Sequence, residues 1–145
     1  MKERLDTLKN TFNNFKDPDD KWKYLIKIAK EYPNLDKAKH LEQYRIDGCA
    51  INLYLIPAFD GKVMHFEMDT DGGNTNPLIS RGLGVLAVNL YDGLTPAEIL
   101  SIDKEFFKEI GLTNGLSSTR SNGFASLLNQ LYNYAGAFKL ISEMS

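Results

Sequence analysis

Apolar residues recur at helical spacing in both halves of the chain, with an alternating stretch between them. Intervals of three and four between apolar positions predict a first amphipathic helix over about residues 3–15. A second helix is predicted to begin at Asp17, a cap residue that is followed by proline at the first helical position. It should end near Tyr32, because the next residue is also a proline, which disfavours helix at the residue before it. Residues 34–45 have weak periodicity, and we interpret them as a short helix or an ordered loop.

The middle of the chain has the pattern of a β-hairpin. The apolar, branched run 50–56 and the alternating run 62–69 predict two strands, joined by a turn at Asp60 and the glycine that follows it. From residue 64 to residue 69 the even-numbered residues are apolar, and the odd-numbered ones, Asp69 among them, are placed on a polar face.

Cap residues mark the helix starts in the second half of the chain. Asn76 is followed by proline and precedes a long apolar helix, and Thr95 begins a capping box with proline at the first helical position. Asp103 can cap a short segment that stops at Gly111, and Ser117 can cap the last helix. The elements predict one α+β domain over residues 1–145, with a small antiparallel sheet packed against several helices.

Composition narrows the class of protein. The chain has 145 residues, of which 43% are hydrophobic and 11% aromatic, which is enough to build a core and rules out a wholly disordered chain. The formal net charge of −2 argues against a nucleic-acid partner. No apolar run approaches the ~20 residues that span a bilayer, and the N-terminus lacks the apolar segment of a signal peptide, so we expect a cytoplasmic protein without a membrane partner.

Metal and cofactor sites are not predicted. Residues 69–73 begin like a calcium loop, but glycine stands at the fifth position, which needs an oxygen ligand. A zinc site needs about four ligands, and only Cys49, His40 and His65 supply thiol or imidazole donors. The glycine and serine patterns of phosphate-binding loops, nucleophile elbows and Rossmann turns are missing as well.

Cys49 is the one cysteine, and two interpretations of it stay open. A single cysteine can be a small buried hydrophobic residue. Cys49 follows a glycine between a polar loop and a strand, however, where a thiol can be presented to a partner. Its thiolate could then attack a sulfur atom carried by another protein, and without a second cysteine to resolve the product, that sulfur must leave to a further partner.

The chain resembles the SufE family of sulfur-acceptor proteins over about residues 12–135. Six short blocks carry the resemblance in the family's order, the second of which contains the cysteine: 21–26, 46–49, 69–71, 78–83, 95–100 and 116–123. The last block, Leu-Ser-Ser-Thr-Arg-Ser-Asn-Gly, is similar to the family's Leu-Ser/Thr-Pro-Ser-Arg-Ser-Asn/Gln-Gly signature.

The resemblance implies a SufE/IscU-like fold and a function. Cys49 would accept persulfide sulfur from a pyridoxal-phosphate cysteine desulfurase, stimulate that enzyme, and pass the sulfur to an iron–sulfur cluster scaffold. The chain would then be a sulfur carrier without a cofactor of its own, rather than an independent enzyme, and a monomer or weak homodimer. An alternative is a regulator that binds the desulfurase without carrying sulfur.

The residues beside the cysteine are expected to support the thiol or contact the partner. Gly48 belongs to the family's Gly-Cys block, and Asn52 keeps an amide where the family has glutamine. Ile51 replaces the family's hydroxyl residue, so any hydrogen bond from that hydroxyl to the thiol is absent.

Three charged residues complete the predicted site. Arg120 lies in the first turn of the last helix, where its cation could hold a partner's carboxylate or favour a nearby thiolate; a structural salt bridge is the alternative. By their positions in the family pattern, Asp71 and Arg81 are expected to contact the partner, with a solvated surface charge as the alternative for each.

Overall fold

In the described part of the chain, six α-helices and two short 3₁₀ turns surround a two-stranded sheet. A computed structural model describes residues 1–49, 51–73 and 77–144. In chain order the elements are α1 (Lys2–Asn13), α2 (Pro18–Glu31), 3₁₀ turns at Lys37–Lys39 and Glu42–Tyr44, β1 (Leu53–Phe59), β2 (Met64–Thr70), α3 (Leu78–Tyr91), α4 (Pro96–Ser101), α5 (Phe106–Glu109) and α6 (Ser118–Met144). The predicted α+β class, with a small antiparallel sheet against helices, is confirmed.

The hairpin pairs β1 and β2 in antiparallel register, with Leu55 opposite Met68. The Asp60 carboxylate accepts hydrogen bonds from two backbone N–H groups in the turn, which fixes the connection. Strand β1 was predicted over 50–56 but runs over Leu53–Phe59, and residue 50 lies outside the described residues. Pro57 does not end the strand, because a two-stranded sheet leaves each strand with an unpaired edge that tolerates proline.

Helix α3 forms the centre of the core. It packs against α2 and β2, and α6 packs against α3 and β1. The contact with α2 depends on Gly82, because a Cβ there would lie 2.3 Å from the Leu25 carbonyl oxygen. None of the helices in the described ranges combines the length and apolar character that crossing a bilayer requires.

The predicted caps position the helices. Asp17 and Thr95 each begin a capping box, and the Ser117 hydroxyl accepts a hydrogen bond from the backbone N–H of Arg120 at 3.3 Å. Asn76, predicted as the cap of α3, lies outside the described residues. Because Ser117 fixes the start of α6, it also fixes the first turns of that helix, which face the cysteine.

The polar face predicted for β2 is wrong at Asp69. This residue is 2% exposed, and β2 is buried from Met68 to Thr70 rather than on alternate residues. The reason is a buried cation: Arg81 of α3 lies with its Nη1 atom 2.8 Å from Asp69 Oδ1. A buried carboxylate is tolerated when a cation and hydrogen bonds compensate for the lost water.

Candidate functional site

Cys49 lies in a short segment, residues 47–52, between two paired backbone positions. The N–H of Ile46 donates to the carbonyl oxygen of Leu53 at 2.8 Å, which closes the base of this segment. Gly48 is exposed and has a φ of +84°, a conformation that favours glycine. The segment therefore turns just before the cysteine and directs it towards α6.

The Cys49 side chain is half-buried against the first turns of α6. Its S–H group donates a long hydrogen bond, 3.8 Å, to the carbonyl oxygen of Gly123. The thiol also lines a small pocket between the Cys49 segment, α3 and α6. The other lining residues are mostly apolar: Ile51, Leu53, Ser80, Leu83, Gly84, Thr119, Arg120, Gly123, Phe124 and Leu127.

The surroundings of Cys49 favour the thiol over the thiolate. Burial raises the pKa of the Cys49 thiol, and the nearby carboxylate of Asp47 raises it further. A carbonyl oxygen as the hydrogen-bond partner acts in the same direction, because it accepts from the S–H group and repels the anion. In this position the sulfur is protected and a weak nucleophile.

Arg120 lines the same pocket, and no ion pair or hydrogen bond joins its guanidinium to any described residue. The structural salt bridge considered as the alternative from the sequence is therefore not found in the described part of the chain. Arginine carries a permanent cation with several donors, so a half-buried, unpaired guanidinium beside the cysteine suits an incoming anion.

Asn52 and Asp71 connect the Cys49 segment to the end of β2. The Asn52 amide donates to Asp71 Oδ2 at 2.6 Å, and the Asp71 N–H donates to the Asn52 carbonyl oxygen at 3.2 Å. His40 joins Asn52 and Asp71 in this cluster, because its Nδ1 atom lies 3.5 Å from Asp71 Oδ1. The His40 ring also stacks on Tyr54, with 4.5 Å between the ring centroids. Sequence spacing gave no indication that His40 would join this cluster.

Arg81 is fully buried, which corrects the expectation that it meets a partner or is a solvated charge. Its exposed fraction is 0%, so the side chain offers no docking surface in this conformation. The guanidinium instead connects α3 to β2 and to the end of α2. It donates to oxygen atoms of Ala29, Tyr32, Pro33, Asn34, Asp69 and Thr70.

A metal centre is not formed by the described residues. In residues 1–49, 51–73 and 77–144, no group of three or more histidine, cysteine, aspartate or glutamate side chains is arranged so that it could hold a metal ion. The candidate site thus consists of a protected thiol, an apolar pocket, an arginine that pairs with no described residue, and a hydrogen-bonded connection to β2.

Comparison with known proteins identifies the family. The family model of SufE, described as an Fe-S metabolism associated domain, matches residues 6–135. The chain belongs to the SufE family. The matched range starts a few residues earlier than the resemblance described from the sequence, about 12–135, and both end at residue 135.

Similar proteins share most of their length with this SufE-family chain. The sulfur acceptor protein CsdE of Escherichia coli is 34% identical over 125 residues, which make up 84% of this chain and 81% of CsdE. An uncharacterised SufE-like protein of Rhizobium etli is 33% identical over 132 residues, 88% of this chain and 86% of that protein.

A solved structure supports the fold. The solution structure of a hypothetical protein from Thermus thermophilus superposes with a TM-score of 0.75, over 92% of this chain and 94% of that one. The two sequences are 16% identical, so the likeness establishes the shared fold and nothing about function.

The structure also reveals a residue of the candidate site that sequence reasoning missed. Gly123 ends the last block of family resemblance, but only its contact with Cys49 shows what it does. A signal was present in the sequence, because a glycine inside a predicted helix costs stability and often marks a close approach of another segment.

Proposed function

We propose that this SufE-family protein accepts a sulfur atom on Cys49 from the persulfide of a cysteine desulfurase, stimulates that enzyme, and passes the sulfur on for iron–sulfur cluster assembly. The observation that carries the proposal is the sole cysteine of the sequence, held on a surface segment in an apolar pocket that is also lined by an arginine without a partner among the described residues. The family and the relative named as a sulfur acceptor support it.

The transfer is a displacement at sulfur. The Cys49 thiol loses its proton to solvent, and the thiolate attacks the outer sulfur of the donor persulfide. A bond forms between Cys49 Sγ and that sulfur while the sulfur–sulfur bond of the donor breaks. The donor cysteine leaves as a thiolate, so one persulfide replaces another and no external oxidant or reductant is needed.

The thiol must leave its pocket before it reacts. Burial raises the pKa of Cys49, so the thiolate is favoured only once the side chain reaches water or a partner's active site. The hydrogen bond between Ile46 and Leu53 can stay in place as the segment swings outward. Three residues from Ile46 to Cys49 give a reach of about 10 Å when fully extended.

The Arg120 guanidinium supplies a cation in the pocket to which the sulfur-loaded side chain returns. Both the thiolate and the persulfide that replaces it are anions, and Arg120 lines the pocket without a partner among the described residues. A docked partner's carboxylate would compete for the same cation.

The proposal is tested by incubating the protein with a pyridoxal-phosphate cysteine desulfurase and free cysteine. Intact mass spectrometry should show the gain of one sulfur atom, mapped to Cys49 and removed by dithiothreitol, and cysteine turnover should rise. Cys49→Ser is the control and should gain no sulfur.

Two results would contradict the proposal. Unmodified Cys49 together with unchanged desulfurase turnover would refute sulfur transfer from that enzyme. A Cys49→Ala variant that stimulates turnover as fully as the wild type would instead indicate a regulator that binds the desulfurase without carrying sulfur.

A further inference from the structure

Gly123 lies so close to Cys49 that a Cβ at this position would make a tighter contact than most real Cβ atoms do. A Cβ built on Gly123 would lie 3.1 Å from Cys49 Sγ, 3.5 Å from its Cα and 3.7 Å from its Cβ. Glycine inside a helix makes the helix less stable than alanine would, and Gly123 is buried within α6. The contact with Cys49 gives a reason for glycine at this position.

We propose that Gly123 is a positioning residue that keeps Cys49 in its pocket, an inference that rests on the proposed role of Cys49 as sulfur acceptor. Gly123 holds the cysteine side chain in place in two ways. Its missing side chain leaves room for the sulfur, and its carbonyl oxygen accepts the hydrogen bond of the S–H group at 3.8 Å.

If a side chain were added at Gly123, we expect the Cys49 segment to move rather than helix α6. Non-bonded atoms are in best contact at about 3.5–4.0 Å, so the sulfur would have to retreat by several tenths of an ångström. Helix α6 is held on this side by the buried residues Phe124, Leu127 and Leu128. The residues before Cys49, Asp47 and Gly48, are exposed.

Gly123→Ala should therefore shift the segment towards the open position. The chain offers a matched control in Gly136, on the same helix, where a Cβ would meet no atom within 4 Å. Gly136→Ala makes the same change in helix propensity without touching the cysteine.

The test is the rate at which iodoacetamide alkylates Cys49, measured against pH in the intact protein. We expect alkylation about four- to eightfold faster in Gly123→Ala than in the wild type, the ratio that follows when a modest overpacking cost raises the open-to-closed equilibrium constant about tenfold. The apparent pKa of alkylation should also fall towards that of an ordinary thiol. Gly136→Ala should match the wild type in both quantities.

The inference is overturned if Gly123→Ala is folded by circular dichroism and has the rate and pH profile of Gly136→Ala. If Gly123→Ala does not fold, Cys49→Ala is added to it, because removing Sγ removes the tight contact. Recovery of folding in the double variant supports the inference, and continued failure overturns it.

The alkylation assay separates this inference from the proposed function. It uses no desulfurase, so positioning by Gly123 can be confirmed even if the mass-spectrometric test finds no sulfur on Cys49. Conversely, sulfur can be found on Cys49 in the wild type while the alkylation rates of the two glycine variants are equal, in which case only the inference about Gly123 fails.

Discussion

Asp69→Asn should leave a buried cation without its counter-charge. The Arg81 guanidinium has an exposed fraction of 0% and lies 2.8 Å from Asp69 Oδ1. Asparagine has nearly the same shape, so the change removes the negative charge while keeping one oxygen acceptor. The other acceptors around Arg81 that are described above are neutral, and they cannot replace the charge.

The expected loss of stability is large. Breaking a buried ion pair by removing one partner costs about 3–5 kcal/mol, because the remaining charge stays buried. Domains of this size are stable by about 5–15 kcal/mol in total. With about 2–4 °C of Tm for each kcal/mol in a chain near 150 residues, the lower end of this loss corresponds to a fall in Tm of about 10 °C.

The loss should depend on pH. Burial by itself raises the pKa of Asp69, but hydrogen bonds from Arg81, His40 and the backbone N–H groups of Thr70 and Leu35 outweigh it and lower the pKa below its usual value. A carboxylate with a lowered pKa in the native state stabilises the fold above its unfolded pKa. This stability is lost as the pH falls through the native pKa. The Tm difference between wild type and Asp69→Asn should shrink below about pH 4.

Thermal unfolding followed by circular dichroism at pH 7 and at acid pH measures both effects. Asp71→Asn is the control, since Asp71 lies one residue beyond the same strand with its side chain 50% exposed, and its loss should stay below about 1 kcal/mol. The reasoning is refuted if Asp69→Asn melts within the experimental error of Asp71→Asn at pH 7.

Two further predictions concern the thiol and the core. Asp47→Asn should lower the apparent pKa of Cys49 alkylation, but only slightly, because burial is the larger cause of the raised pKa and the Asp47 side chain is 93% exposed. High salt should remove the difference between the variant and the wild type. Identical pH profiles at low salt would contradict the prediction. Tyr132→Phe removes a hydroxyl that donates to the buried carbonyl of Ile102 at 2.6 Å, and it should lower the free energy of unfolding by about 1–3 kcal/mol, measured by chemical denaturation. The control is Tyr134→Phe, whose hydroxyl bonds to no described residue and whose loss should be small. Equal losses in the two variants would contradict the assignment.

Local signals in the sequence predicted most of the fold. Spacing of apolar residues indicated the helices, and caps at Asp17, Thr95 and Ser117 begin helices as expected. These features depend on neighbours within a few positions along the chain. The hairpin was predicted for the same reason, although its first strand begins at Leu53 rather than residue 50.

The parts that the sequence did not predict depend on contacts between distant residues. Alternation placed Asp69 on the polar face, because nothing within β2 shows that a cation 12 residues later lies against it. A hint was available in Arg81 itself, the one charged residue of α3 in an otherwise largely apolar stretch. The position of Cys49 was predictable from the family pattern, whereas its contact with Gly123, 74 residues away, was not.

For the proposed sulfur transfer, the closed position of Cys49 has to be stable enough to protect the sulfur and weak enough for a partner to open. A half-buried thiol with one weak hydrogen bond is held by about 1–2 kcal/mol. That energy leaves about 3–15% of molecules open at any time. A small reagent reacts only with this open minority, so the closed position should slow oxidation of the proposed Cys49 persulfide. A micromolar complex releases about 8 kcal/mol, so we expect a docked desulfurase to draw the segment outward at a small cost in affinity, and the pKa of Cys49 to fall as the thiol leaves the pocket that raised it.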